Sequence, residues 1–274
     1  MIVKDTVRAL VLSGGGAKGA VHLGALMELE GMNLQWDLIV GTSIGAMVAA
    51  GYALTCNTET MRRYAEGMNR TVRVNVNRPK RIPPLLACWF TNTFQSLFPR
   101  SFFFKVVERV FGDRTFEDTR IPLLVTACDI EKRRLTVFRE GPLITPLLAS
   151  MAIPGVFPSV RVGTSLFCDG GVLENLPIPT ALTAGANRIL ALHICSKPDE
   201  EGGPIASSST GLLLQTDAFR ERWQERLTDK ALAKVIDFDT TGYGSMDFRH
   251  TPALLEIGRK TIRRRREEIR EWLS

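Results

Sequence analysis

Apolar residues along this chain come in short runs separated by glycine-rich or polar punctuation. Residues 7–12 (VRALVL) read as a strand, and residues 17–31 (AKGAVHLGALMELEG) as a helix ending at Gly31. Leu38, Ile39 and Val40 form a second short strand, GTSIG a turn, and AMVAAGYAL a helix rich in small residues. Strand–helix–strand–helix order is the pattern of a parallel sheet covered by helices. Further on, residues 122–130 and 133–140 read as strands, and residues 142–158 as a helix or loop stopped by Pro154 and Pro158. LFCDGG ends another apolar run, and residues 186–194 read as a late buried strand. Residues 196–210 are a polar loop. The segment 254–272 reads as a charged helix; its Ile262 and Ile269, with Leu273 beyond, fall near helical spacing, so one face packs. No repeat and no linker divides the sequence. A single domain over 1–274 is expected, with its core at about 7–195 and a C-terminal helical segment at about 253–273.

The chemistry sits in the punctuation. Gly14-x-Gly16-x-x-Gly19 lies between the first strand and the first helix. Glycines there serve two needs: close backbone approach to an anion, and free N–H groups aimed at it from a helix N-terminus. A dinucleotide pyrophosphate uses such a loop, and so does the oxyanion of an acyl-transfer transition state. A dinucleotide site wants an acidic residue at the end of the second strand. The candidate here, Asp37, precedes that strand. What ends the strand is Gly41-Thr42-Ser43-Ile44-Gly45, the G-x-S-x-G turn of an exposed nucleophilic serine. Taken alone, Ser43 also suits a helix cap.

A serine hydroxyl needs a base. The chain has three histidines, His22, His193 and His250. The order Ser43…Asp169…His193 or His250 matches an α/β-hydrolase triad, although the serine comes very early for that fold. His22, one turn into the first helix, reads as a packed or capped histidine. The rival base is Asp169 in Cys168-Asp169-Gly170-Gly171, acting on the serine directly.

Four blocks in order resemble the patatin-like phospholipases. Gly14-Gly15-Gly16-Ala17-Lys18-Gly19 is similar to the family's oxyanion loop, and Gly41 to Gly45 to its nucleophile elbow. ASMAIPGVFP (149–158) is similar to its ASxxxPxxFP block, and Asp169-Gly170-Gly171 to its DG[G/A] motif, with Asn175-Leu176-Pro177 following. The similarity runs over about 7–195, more weakly through TTGYGSMDF (240–248). The resemblance implies an α/β fold of three layers, α/β/α, with a mainly parallel central sheet. It implies hydrolysis of fatty-acyl esters by a dyad of Ser43 and Asp169, with oxyanion donors at Gly14, Gly15 and Gly16. Lys18 stands where the family often has Arg.

Composition narrows the partners. A net charge of +6 favours anionic ones, and 45% hydrophobic residues with 23% charged ones is ordinary for a globular domain. Five cysteines without a C-x-x-C pair argue against a disulfide framework or a zinc cluster. No H-E-x-x-H or EF-hand pattern is present, so no metal and no cofactor is expected. The N-terminal residues lack an apolar signal region, and the uncharged stretch 38–58 is broken by glycines and polar residues into a strand, a turn and a buried helix. The expected location is cytoplasmic, with peripheral contact at an anionic membrane surface. Two segments suit that contact: the basic stretch 62–81 and the aromatic stretch 85–111, which includes Phe102, Phe103 and Phe104. The expected substrate is a phospholipid or other acyl lipid. Three further readings are a Ser-His-Asp esterase of another α/β class and a basic nucleic-acid-binding or membrane-binding protein without activity. Nucleic acid explains the charge but not the four blocks.

Overall fold

The computed structural model describes residues 6–66, 100–195 and 233–274 except 246; for residues 100–103 and 106 it describes the backbone alone. The first strand, β1 (Arg8–Leu12), runs into a 3-10 turn (Gly16–Gly19) and α1 (Ala20–Glu30). Next come β2 (Leu38–Thr42), α2 (Ile44–Thr55) and α3 (Arg100–Phe111). They are followed by β3 (Leu123–Asp129), β4 (Arg134–Phe138), α4 (Ile144–Ser150), β5 (Val160–Val162), β6 (Ser165–Asp169) and α5 (Ile178–Thr183). The described chain closes with β7 (Arg188–Cys195), β8 (Lys234–Asp239), α6 (Thr251–Arg264) and α7 (Arg266–Leu273).

All eight strands among the described residues join one sheet in the order β5-β6-β3-β2-β1-β7-β8, with β4 on the other edge of β3. The five strands from β3 to β8 in that order are parallel; β4 and β6 run antiparallel to β3, and β5 runs antiparallel to β6. Alternation along each central strand sends side chains to two cores. Leu10, Leu12, Ile39, Leu190 and Leu192 face the layer of α1, α2, α4, α6 and α7. Ala9, Val11, Val40, Ile189 and Ala191 face α5, through Ile178 and Ala181. The fold is therefore three layers, α/β/α, around a mainly parallel sheet.

Sequence and structure differ at a few elements. β5 is only three residues long, and β8 (KVIDFD) alternates core positions Ile236 and Phe238 with acidic Asp237 and Asp239, so neither shows as an apolar run. The C-terminal helix is two helices, broken at Arg265. The break lets α7 reach the sheet: Trp272 Nε1 donates to the Ile189 carbonyl at 2.9 Å, and Arg8 Nε to the Leu273 carbonyl at 2.8 Å. Ile262, Ile269 and Leu273 are all buried. α6 packs along α1 with almost no space between backbones. A Cβ on Gly24 would lie 2.0 Å from the Leu255 carbonyl oxygen, and one on Gly258 would lie 2.1 Å from that of Val21.

The uncharged stretch 38–58 is largely β2 and α2, and among the described residues no helix is long and apolar enough to cross a membrane. Most of the basic stretch, most of the aromatic stretch and the polar loop lie outside the described residues. Within the described part of the aromatic stretch, Phe111 is buried and Phe104 packs against the core.

Candidate active site

β1 and β2 are neighbours, and both point their carboxyl ends at one edge of the sheet. β1 lies between β2 and β7, so the chain returns to its far side much later in the sequence. Crevices at such reversals of strand order are where open α/β sheets place ligands. Asp37 is at the opposite end of β2. Its carboxylate accepts the Arg8 N–H at 2.9 Å and its own N–H donates to the Arg8 carbonyl. That locks the β1–β2 register and takes Asp37 out of any ribose-binding role.

Ser43 follows β2 directly. Its backbone has φ 56 and ψ −128, a conformation that costs a non-glycine residue about 1–3 kcal/mol. Both flanking glycines are required by contact: a Cβ on Gly41 would be 2.5 Å from Ala46 Cα, and one on Gly45 would be 2.4 Å from the Leu12 and Ser13 carbonyls. The Ser43 N–H donates to Ser150 Oγ at 2.8 Å, and its carbonyl accepts the Ala46 N–H that opens α2. The serine is thus held at the positive end of a twelve-residue helix that has no acid in its first turn.

Asp169 reaches Ser43 through β3. Thr42 pairs with Thr126 and Asp169 pairs with Ala127, while β4 occupies the other edge of β3. β2 and β6 therefore meet end to end along a single edge, from opposite directions. Ser43 Oγ donates to Asp169 Oδ2 at 2.6 Å, and Asp169 Oδ1 accepts the Gly171 N–H at 2.7 Å. Both side-chain residues are 5% exposed. Beneath them, the Thr126 hydroxyl bonds Thr42 Oγ1 at 2.7 Å, and Thr42 Oγ1 donates to the Glu174 carbonyl at 2.9 Å. This chain of buried hydroxyls ties the 169–175 segment to β2 and β3. Gly170 fits against Thr126, whose carbonyl oxygen would be 2.6 Å from a Cβ there.

No imidazole bonds Ser43. His22 Nε2 meets the Ser13 carbonyl, His193 Nδ1 lies 2.6 Å from Asp237 Oδ1 on the β7–β8 pair, and His250 lies beside Asp247. The triad order Ser43…Asp169…His193 or His250 is thus not assembled in space. His193, Cys195 and Asp237 place ligand atoms within 4.8 Å of one another, a donor set able to hold a cation; they stand on β7 and β8, two and three strands from β2.

The glycine loop curls beside the serine. Gly16 has φ 59, and its neighbour Ala17 donates to the Ser245 carbonyl at 2.7 Å, so Ser245 covers the loop. Gly19 abuts the Ile44 side chain, and Lys18 lies in the 3-10 turn with its N–H on the Gly15 carbonyl. The three expected donors are not equivalent. The Gly14 N–H is spent on the Asn175 carbonyl at 3.1 Å, whereas no acceptor among the described residues meets the Gly15 or Gly16 N–H. The sequence blocks include Ser150 and Asn175 but assign neither a role: Ser150 Oγ accepts the Ser43 N–H, and the Asn175 carbonyl accepts the Gly14 N–H, both from backbone partners distant in the chain.

Comparison with known proteins identifies the family. The family model for patatin-like phospholipase matches residues 10–182. Human patatin-like phospholipase domain-containing protein 6 is 31% identical over 209 residues, covering 74% of this chain and 14% of that protein. Lysophospholipase NTE1 of Debaryomyces hansenii is 29% identical over 204 residues, covering 72% of this chain and 12% of its own length. The chain thus spans about a seventh or less of these relatives. Two solved structures share the fold: VipD of Legionella pneumophila, with TM-score 0.54, 14% identity and 97% of this chain covered against 67% of its own, and human GIVD cytosolic phospholipase A2, with TM-score 0.53, 12% identity and 98% against 60%. With the matched region holding the glycine loop, the elbow and Asp169, this chain belongs to the patatin-like phospholipase family.

Proposed function

We propose that this protein is a serine lipid acyl hydrolase of the phospholipase A or lysophospholipase type, working through Ser43 and Asp169. The observation that carries the reading is the 2.6 Å bond from Ser43 Oγ to Asp169 Oδ2 at a strained strand-to-helix turn, with no imidazole on the serine. In the first step Ser43 Oγ attacks the ester carbonyl while its proton passes to Asp169 Oδ2. The tetrahedral oxyanion is met by the Gly15 and Gly16 N–H groups. The leaving alcohol or lysolipid departs with the proton from Asp169. Water then attacks the acyl-serine, Asp169 takes its proton, and fatty acid leaves as Ser43 is restored. These steps use neither metal nor cofactor.

The lipid substrate is supported by family membership and by relatives named as phospholipases and lysophospholipases. Peripheral contact with an anionic membrane and a cytoplasmic site of action are supported by the net charge of +6. A single catalytic domain over 1–274 is supported by β8, α6 and α7 joining the same sheet and core as β1. The test is fatty-acid release from mixed phospholipid vesicles. Release lost in Ser43→Ala and Asp169→Asn, and kept in the His193→Ala/His250→Ala double variant, is the expected result. Loss in the folded histidine variant overturns the dyad, and no release by the unaltered protein overturns the hydrolase.

A further inference from the structure

His22 is a fully buried imidazole that the dyad chemistry does not use. It lies on the first turn of α1, with Nε2 2.8 Å from the Ser13 carbonyl oxygen. A carbonyl oxygen only accepts, so Nε2 carries the proton. Nδ1 is buried without a hydrogen-bond partner among the described residues, and the ring stands edge-on to Phe238. Burial draws its pKa down to about 4, so the ring is neutral near pH 7. A half-satisfied imidazole packs no better than an apolar side chain and costs more to bury. Its one bond should therefore do something that packing alone cannot.

That bond falls on the hinge of the glycine loop. Ser13 precedes Gly14, and each of its polar groups is engaged. Its N–H donates to Leu192 O at 3.1 Å, and its hydroxyl accepts the Ile194 N–H at 2.9 Å while donating to Gly14 O at 3.0 Å. The Ser13–Gly14 peptide plane is clamped at both ends, its C=O by His22 and its N–H by the Asn175 carbonyl. Three successive glycines have little conformational preference of their own. The orientation of the last fixed peptide before them sets where the next N–H groups point.

We propose that His22 is a positioning residue of the oxyanion loop, whose Nε2–H on the Ser13 carbonyl aims the Gly15 and Gly16 N–H groups at the carbonyl attacked by Ser43. The assignment rests on the hydrolase reading above. His22 touches no reacting atom; it acts through Ser13.

The test compares His22→Gln, which can carry an N–H to the same carbonyl, with His22→Leu, of similar bulk and no donor. Acyl-release kinetics are read alongside inhibition by a fatty-acyl trifluoromethyl ketone, which forms a tetrahedral oxyanion on serine. In His22→Leu, kcat is expected to fall about 10–100-fold and analogue affinity in parallel, a fraction of what a lost oxyanion donor costs. KM should stay within about threefold, and His22→Gln should recover most of kcat. If His22→Leu does not fold, His22→Asn, whose amide falls short of Ser13, takes its place against Gln. Unchanged kcat in the donorless variant, or equal loss with and without the donor, overturns the assignment. Ser43→Ala separates the two readings: release abolished there but untouched in His22→Leu removes only His22, whereas release surviving Ser43→Ala removes the hydrolase reading itself.

Discussion

Ser43 carries the strain of the site at a single residue. Ser43→Ala and Ser43→Gly both remove Oγ, but only glycine accepts φ 56 without cost. Glycine is expected to be the more stable of the two by about 1 kcal/mol, after its greater unfolded-state entropy is subtracted. Urea denaturation of the pair measures this, and an alanine variant as stable as the glycine one contradicts the strain. Ser150 tests the support of that turn. Ser150→Ala leaves the buried Ser43 N–H without its acceptor, which should cost about 1–3 kcal/mol and lower kcat together with stability. Ser150→Thr, which keeps the hydroxyl, should retain more of both. Ser43 and Asp169 were legible in sequence because their chemistry dictates their neighbours: small residues at an elbow and glycines after a buried acid. The roles of Ser150, Asn175 and His22 were not, even though the first two fall in the quoted blocks, because each meets a backbone group that no motif names.

Between elements, the closest contact described is α1 on α6. Gly258→Ala sets two effects against each other. Helix propensity favours alanine by about 1 kcal/mol. The added methyl, however, would lie 2.1 Å from the Val21 carbonyl oxygen and 2.8 Å from the Ala25 nitrogen, both backbone atoms that cannot step aside alone. Overpacking should win, with a net loss of about 1–3 kcal/mol in chemical denaturation. A neutral or stabilised Gly258→Ala would mean the helices can part cheaply. The rim of the same contact is ionic: Arg259 Nε and Arg263 Nη2 both reach Glu28 Oε1, at 3.0 and 2.7 Å. The elements legible in sequence were those whose apolar pattern is local, β1, α1, β2, α2, β3, β4, β6 and β7. The three-residue β5, the acid-interrupted β8 and the break between α6 and α7 follow from tertiary partners, which a local pattern does not contain.

For the whole molecule, buried His22 and ion-paired Glu28 make acid a destabilising direction, while the Glu174 carboxyl, raised by burial, opposes them. Burial draws the His22 imidazole from its ordinary 6.5 down to about 4 in the folded chain, and the charge of His193 adds to the effect. Between those values the unfolded chain binds more protons, so stability falls as pH drops through the window. Glu28 acts in the same direction from below its ordinary 4.5, since Arg263 and then Arg259 hold its carboxylate ionised and that stabilisation is lost on acidification. Urea midpoints between pH 7 and 4 should decline, and the slope should flatten in His22→Gln. An unchanged slope would place the acid sensitivity elsewhere. A parallel sheet covered by helices was legible from strand–helix alternation, and its three layers from the family resemblance, but the pairing of β6 with β3, which brings Asp169 to Ser43, was not.

That pairing makes β3 a ruler. Nucleophile and base are separated by 126 positions in the chain, yet they hang from strands registered on two consecutive residues, Thr126 and Ala127. One peptide step, about 3.3 Å of strand, sets their spacing. The segments between them can lengthen, shorten or change partners without recalibrating the dyad, as long as those two marks on the ruler stay in register. A family built this way can remodel how it meets its lipid while the distance between its two reacting groups stays constant.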